Sequence, residues 1–335
     1  MFNKSLTAAA AAMAGLALQA SAQLATPVSQ PIGSPTESDP LTRAAALYAT
    51  YHGDVTDVKA QGFNSARDID KALTNLGGHN SKQFTEGWMA YSALVASQTP
   101  EFRAAVLDIE GYYGRDVLIR GLKNDVRYAR TLNGGDDAVA SSLSAVSADS
   151  RRLAGAAAFV KEQAYSLQGS GWAKGRIGDS NALANDLLAS SRLGIPARGS
   201  MISAFASPEM DSVLTVAGSA GAPSVWESVT SAANSIRVPD IAGRFGSSTR
   251  IARGQEPIAD GIATLAAYRV LGTDGSTHGA MKSAMSQRKT SGCVNMAQLN
   301  LQQCVAAAHK HYEVPFCIGE HALADIGKCI GEVAQ

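Results

Sequence analysis

The sequence predicts an all-α protein: a multi-helix bundle followed by a disulfide-stapled C-terminal helical hairpin. Three observations carry this expectation. Apolar residues recur at helical spacing over most of the chain, whereas alternating Val, Ile and Tyr runs are missing apart from a short strand candidate at Ser212–Val216. Helix-starting and helix-stopping residues bracket those periodic stretches. All four cysteines, Cys293, Cys304, Cys317 and Cys329, fall in the last 43 residues at spacings of eleven, thirteen and twelve.

The elements follow in chain order. Lys4 precedes a run of mostly Ala, Leu, Met and Gly from Leu6 to Leu18, too short to span a bilayer, and Ala20-Ser21-Ala22 supplies small residues for cleavage. Residues 1–22 therefore read as a signal peptide, which leaves 313 of the 335 residues in the mature chain. No cysteine follows the cut, so no lipid anchor is expected there. Residues 23–40 carry four prolines among Ser and Thr and read as a flexible tether.

Residues 41–216 are expected to form a bundle of about five or six helices. Ser65 with Asp68 marks one start, and Gly77-Gly78 its stop. Thr99-Pro100-Glu101 opens a helix with Phe102, Val106, Ile109 and Tyr113 on one face, ended by Gly114. Val117, Leu118, Leu122, Val126 and Leu132 mark the next, closed by Asn133-Gly134-Gly135. Asp136 opens a long helix whose stripe runs through Val139, Leu143, Val146, Leu153, Ala157 and Val160 to Gly169-Ser170-Gly171. Asp179 or Ser180 caps another that ends at Gly194. Residues 217–254 form a Gly- and Ser-rich connector with one short helix at Ser224–Ile236. Residues 255–335 form a C-terminal module that begins with a helix from Pro257 to Gly272.

Four cysteines allow three pairings. A helix rises about 1.5 Å per residue, so Cys293 and Cys304 stand about 16 Å apart if one helix carries both. A disulfide requires its Cα atoms within about 7 Å. A second helix is expected from about Gly319, with Tyr312-Glu313-Val314 and Pro315 supplying the turn. In an antiparallel pair the sums of facing positions are constant, and this condition selects the nested bridges Cys293–Cys329 and Cys304–Cys317. The layout is similar to the twin-cysteine helical hairpins of the coiled-coil-helix family, which nest their bridges in the same way. Those hairpins are much smaller and use nine-residue gaps, so the similarity covers the tail alone and implies architecture rather than function. The competing reading is zinc, because His309, His311 and His321 stand among the cysteines. Structural zinc sites favour two closely spaced ligand pairs, which this spacing lacks, so no metal is assigned.

Composition excludes some functions. The 29 basic and 29 acidic residues balance, so no net field draws the chain to nucleic acid or anionic lipid. No stretch after the leader is long and apolar enough for a transmembrane span. Aromatic residues make up only 6% of the chain. Trp88, Tyr91, Tyr112, Tyr113, Tyr128, Phe159 and Tyr165 are expected mainly in the core. Trp172, in the loop Gly169–Gly175, is the aromatic expected to stay partly exposed and is the one candidate ligand contact.

Catalytic signals are weak. Gly178-Asp179-Ser180 resembles the G-D-S block of one esterase class, but that block follows a strand, and here Asp179 and Ser180 suit a helix cap. No H-E-x-x-H, G-x-S-x-G, phosphate-loop or dinucleotide pattern is present, so neither catalytic residues nor a cofactor are assigned. Glu86, Asp108, Glu110 and Asp116 are the carboxylates a wall-degrading enzyme would draw on. His309-Lys310-His311 suits a helix C-terminus, where the dipole favours positive charge. The expectation is an exported, non-catalytic envelope protein, periplasmic or surface-bound and bacterial in style, acting on an unknown protein or envelope partner. The alternatives are a periplasmic hydrolase with paired carboxylates and a carrier of a small apolar ligand.

Overall fold

The first helix organises the molecule. In a computed structural model, which describes residues 39–220, 226, 250–272 and 274–334, α1 (Pro40–Gln61) begins where the Asp39 carboxylate accepts the backbone N–H groups of Leu41 and Thr42 at 3.4 and 3.2 Å. Pro40 at the first helical position has no N–H to leave unpaired. From Leu41 to Val55 almost every side chain of α1 is buried, so the helix is a central rod rather than an amphipathic surface element. The signal peptide, tether residues 23–38 and, apart from Trp226, the helix expected at Ser224–Ile236 lie outside the described residues.

Helix α2 (Ala66–Gly77) starts at Ser65, whose hydroxyl accepts the Asp68 N–H, and ends at Gly78. Helix α3 (Ser81–Ala96) is the second central rod and lies against α1. A Cβ on Gly87 would stand 2.6 Å from the Ala44 carbonyl oxygen, so the two backbones meet at a point where only glycine fits. Helices α4 (Pro100–Tyr113) and α5 (Arg115–Asn124) form an outward hairpin broken at Gly114, which takes φ of 84°. The long α6 (Gly135–Leu167) packs against α1, α3 and the C-terminal hairpin. Helices α7 (Ser180–Leu193), α8 (Gly199–Phe205) and α9 (Glu209–Ala220) complete this part. Helix α10 (Glu256–Leu271) is buried along its whole length from Ile258 and packs on α3 and α4. It is followed by α11 (His278–Met285) and α12 (Arg288–Ala307). The return rod comprises α13 (Glu313–Cys317), a π-helical stretch (Ile318–Asp325) and α14 (Ile326–Gly331).

The all-α expectation holds, and no named strand occurs among the described residues. Both cysteine bridges form as the spacing predicts: Cys293–Cys329 with Cα atoms 5.7 Å apart, and Cys304–Cys317 at 5.6 Å. The four sulfurs are thus joined to one another and are not available as zinc thiolates.

Several expectations are corrected. Ser212–Val216 lies inside α9, where Val213, Leu214 and Ala217 face the core, so the short β-branched run serves helical packing. The helix expected from Val117 to Leu132 stops at Asn124; Asp125 is extended, and a 3₁₀ turn at Ala129–Thr131 follows. Of the expected turn Tyr312–Pro315 only Tyr312 precedes the return rod; Glu313, Val314 and Pro315 form the first turn of α13, where the missing N–H of Pro315 costs nothing. Nine α-helices, rather than five or six, lie between Pro40 and Ala220. Helix α1 carries too continuous an apolar and small-residue run to show a stripe, and α8 is only seven residues long.

Candidate functional site

Two places combine chemistry with shape: a sealed polar cluster in the core and an open apolar groove beside the inner disulfide.

The cluster is built from the two central rods and α6. Tyr48 and His52, one turn apart on α1, face Asp149 of α6 and the indole of Trp226. Asp149, only 2% exposed, accepts the Tyr48 hydroxyl at 3.0 Å through Oδ2 and the Trp226 Nε1–H through Oδ1. The His52 ring stacks on the indole at 4.3 Å, nearly parallel at 4°. Arg152 stands 3.0 Å from His52 Nδ1 and donates to Thr56 Oγ1 at 2.6 Å and to the His52 carbonyl at 3.3 Å. A guanidinium can only donate, so Nδ1 is the acceptor and the imidazole proton is on Nε2. Nε2 lies 3.9 Å from Asp149 Oδ2, too far for a hydrogen bond.

Burial, followed by the charge of Arg152, holds the His52 pKa well below its ordinary value. Burial pushes Asp149 up to about 7, although Trp226, Tyr48 and Arg152 all favour its ionised form. Burial, and then Asp149, raises the Tyr48 hydroxyl. A second knot ties the rod to its surroundings: Asp54 pairs with His79 Nε2 at 3.1 Å and with Arg198, which also meets Asp57 at 2.9 Å. These groups have the residue types of an acid–base site, yet His52 and Asp149 are sealed from solvent. A void beside Tyr51, His79 and Phe84 measures about 10 Å³, roughly room for one water and far too small for a ligand.

The groove lies where the hairpin turns. It encloses about 370 Å³ between the C-terminal ends of α6 and α12 and helix α13, and is lined by Tyr165, Tyr312, Phe316 and both sulfur residues of the inner bridge. Tyr165 is 62% and Phe316 40% exposed, and their rings meet edge to face at 6.4 Å. Trp172, 37% exposed as its loop position suggests, does not line the groove. Its loop is nonetheless pinned to the groove wall: Ile177 N–H bonds to the His309 carbonyl at 3.0 Å, and Tyr312 N–H to the Ala173 carbonyl at 3.2 Å.

The remaining candidates scatter. Asp179 caps α7 through the Ala182 N–H at 2.9 Å, while the Ser180 hydroxyl donates to the Ala306 carbonyl. Glu86 is 4.0 Å from Lys82, and Glu110 pairs with Arg115 at 3.0 Å. Asp108 and Asp116 are exposed on α4 and α5. His321 meets Asp325 at 2.8 Å, and His309 lines the groove. An open cleft of about 470 Å³ carries Glu101 and Asp137, a pair the sequence did not single out. Tyr165, Tyr112 and Tyr113, expected mainly in the core, are exposed. No protein-family model, curated protein or solved structure matches this chain.

Proposed function

We propose that this chain is an exported, non-catalytic protein of the cell envelope, periplasmic or surface-bound, that docks a partner through the groove beside the inner disulfide. One observation carries the reading: Tyr165 and Phe316 stand exposed over an open apolar trough whose floor is crosslinked. Aromatic residues held on a rigid frame are characteristic interface anchors, because they bury much area at little entropic cost. Two joined cysteine pairs favour an oxidising compartment. Among the described residues no helix is long and apolar enough to cross a membrane.

The test is in-cell photocrosslinking with benzoylphenylalanine in place of Phe316, with exposed Asp186 on α7 as control. A discrete envelope adduct from position 316 alone is expected. Matching patterns from both positions, or none from 316, would reject docking at the groove. Export is read from the mass of the natural product, which should begin at Gln23; a chain still carrying Met1 would reject it.

The hydrolase reading has one observation in its favour, the cleft with Glu101 and Asp137. Both carboxylates are exposed there, and the acid with a raised pKa, Asp149, is elsewhere and sealed. If the purified chain releases no soluble fragments from wall polymer, that reading ends.

A further inference from the structure

The seat of Trp226 is more elaborate than a core tryptophan needs. Trp88, equally sealed, has no hydrogen-bond partner for its Nε1–H among the described residues. Trp226 instead meets a shaped receptacle. His52 stacks on one face at 4.3 Å, Tyr48 stands edge-on at 5.5 Å, Tyr91 is tilted at 5.0 Å, and Asp149 receives the N–H. Burying a carboxyl group is costly and is not required merely to fill space. The wall residues also contact one another directly. Tyr48 contacts His52 at 4.5 Å and Tyr91 at 5.4 Å, and its hydroxyl bonds to Asp149. Its walls come from α1, α3 and α6, which pack on one another directly.

The chemistry of the walls defines the occupant. Three rings accept a flat aromatic body, and a single carboxyl oxygen accepts a single N–H. Arg152 already places a positive charge against His52 Nδ1, so a neutral ring suits the stacking face better than a cation. We propose that this receptacle is a binding site for a neutral heteroaromatic of indole size bearing one ring N–H, and that the Trp226 side chain is its intramolecular occupant.

The test uses the full chain with Trp226→Gly and two probes, indole and 1-methylindole, which share the ring but differ in the N–H. Calorimetry should show one indole per chain, with 1-methylindole bound at least about ten-fold more weakly because Asp149 is left without its donor. Added indole should also raise the thermal midpoint of the variant. A folded Trp226→Gly chain that ignores indole, or that binds both probes equally, overturns the proposal. Should that variant fail to fold alone, refolding it with each probe decides: indole should restore the helical fold where 1-methylindole does not, and rescue by neither probe or by both equally overturns the proposal.

Discussion

Asp149 occupies a place on α6 that an aliphatic side chain would fill more cheaply, since it falls between Val146 and Leu153 on the buried stripe. Its pKa of about 7 when folded, against about 4 in an unfolded chain, makes the folded state favour the protonated form. The resulting stabilisation is complete below about pH 4 and is lost as the pH rises through about 7. That difference corresponds to about 4 kcal/mol as an upper bound. Asp149→Asn keeps the shape: its oxygen accepts the Trp226 N–H, and its amide donates to the Tyr48 oxygen. Urea melts between pH 4.5 and 8 should therefore show the variant gaining on the wild type as the pH rises. Parallel curves would mean that Asp149 does not titrate in that window.

At the scale of single elements, two glycines make opposite predictions. Gly87 lies at the α1–α3 crossing, where a Cβ would strike the Ala44 carbonyl oxygen, so Gly87→Ala should force the rods apart at a cost of about 1–3 kcal/mol. Gly155, in the exposed middle of α6, has nothing within 4 Å of an added Cβ. There alanine only restricts the unfolded backbone and should stabilise by about 0.4–1 kcal/mol. Thermal midpoints moving in opposite directions would confirm the close crossing; a neutral Gly87→Ala would refute it.

The same contrast shows what was legible in the residues. Caps at Ser65 and Asp179 and the proline at the first helical position, Pro100, announced their helices, because a start signal is local. The cysteine spacing yielded the hairpin, because register in a helical pair is arithmetic. Helix α1 showed no stripe, because burial on all sides erases periodicity. The groove drew Tyr165 from α6 and Phe316 from α13, residues 151 positions apart that only tertiary packing unites. Asp149 left a trace, an acid in register with Val146 and Leu153, but the reading followed the apolar positions and passed over it.

For the molecule as a whole, the hairpin decides how firmly the C-terminal rods bind the rest. The inner bridge closes a separation of 13 residues and the outer one 36. Taken alone, loop entropy gives about 3 kcal/mol for the inner and about 4 for the outer. Nesting narrows that gap, because the inner crosslink shortens the free chain that the outer one must close, so each should contribute about 3 kcal/mol while the other is intact. Function should separate them where stability does not. The inner bridge lines the groove, whereas the outer one joins the start of α12 to α14 at the far end of the rods. Replacing Cys304 and Cys317 with serine should therefore abolish the crosslink from position 316, while replacing Cys293 and Cys329 should lower the thermal midpoint by a similar amount and leave the adduct in place. If both pairs silence the crosslink equally at a temperature where both variants remain folded, the groove depends on the hairpin as a unit rather than on the bridge in its wall.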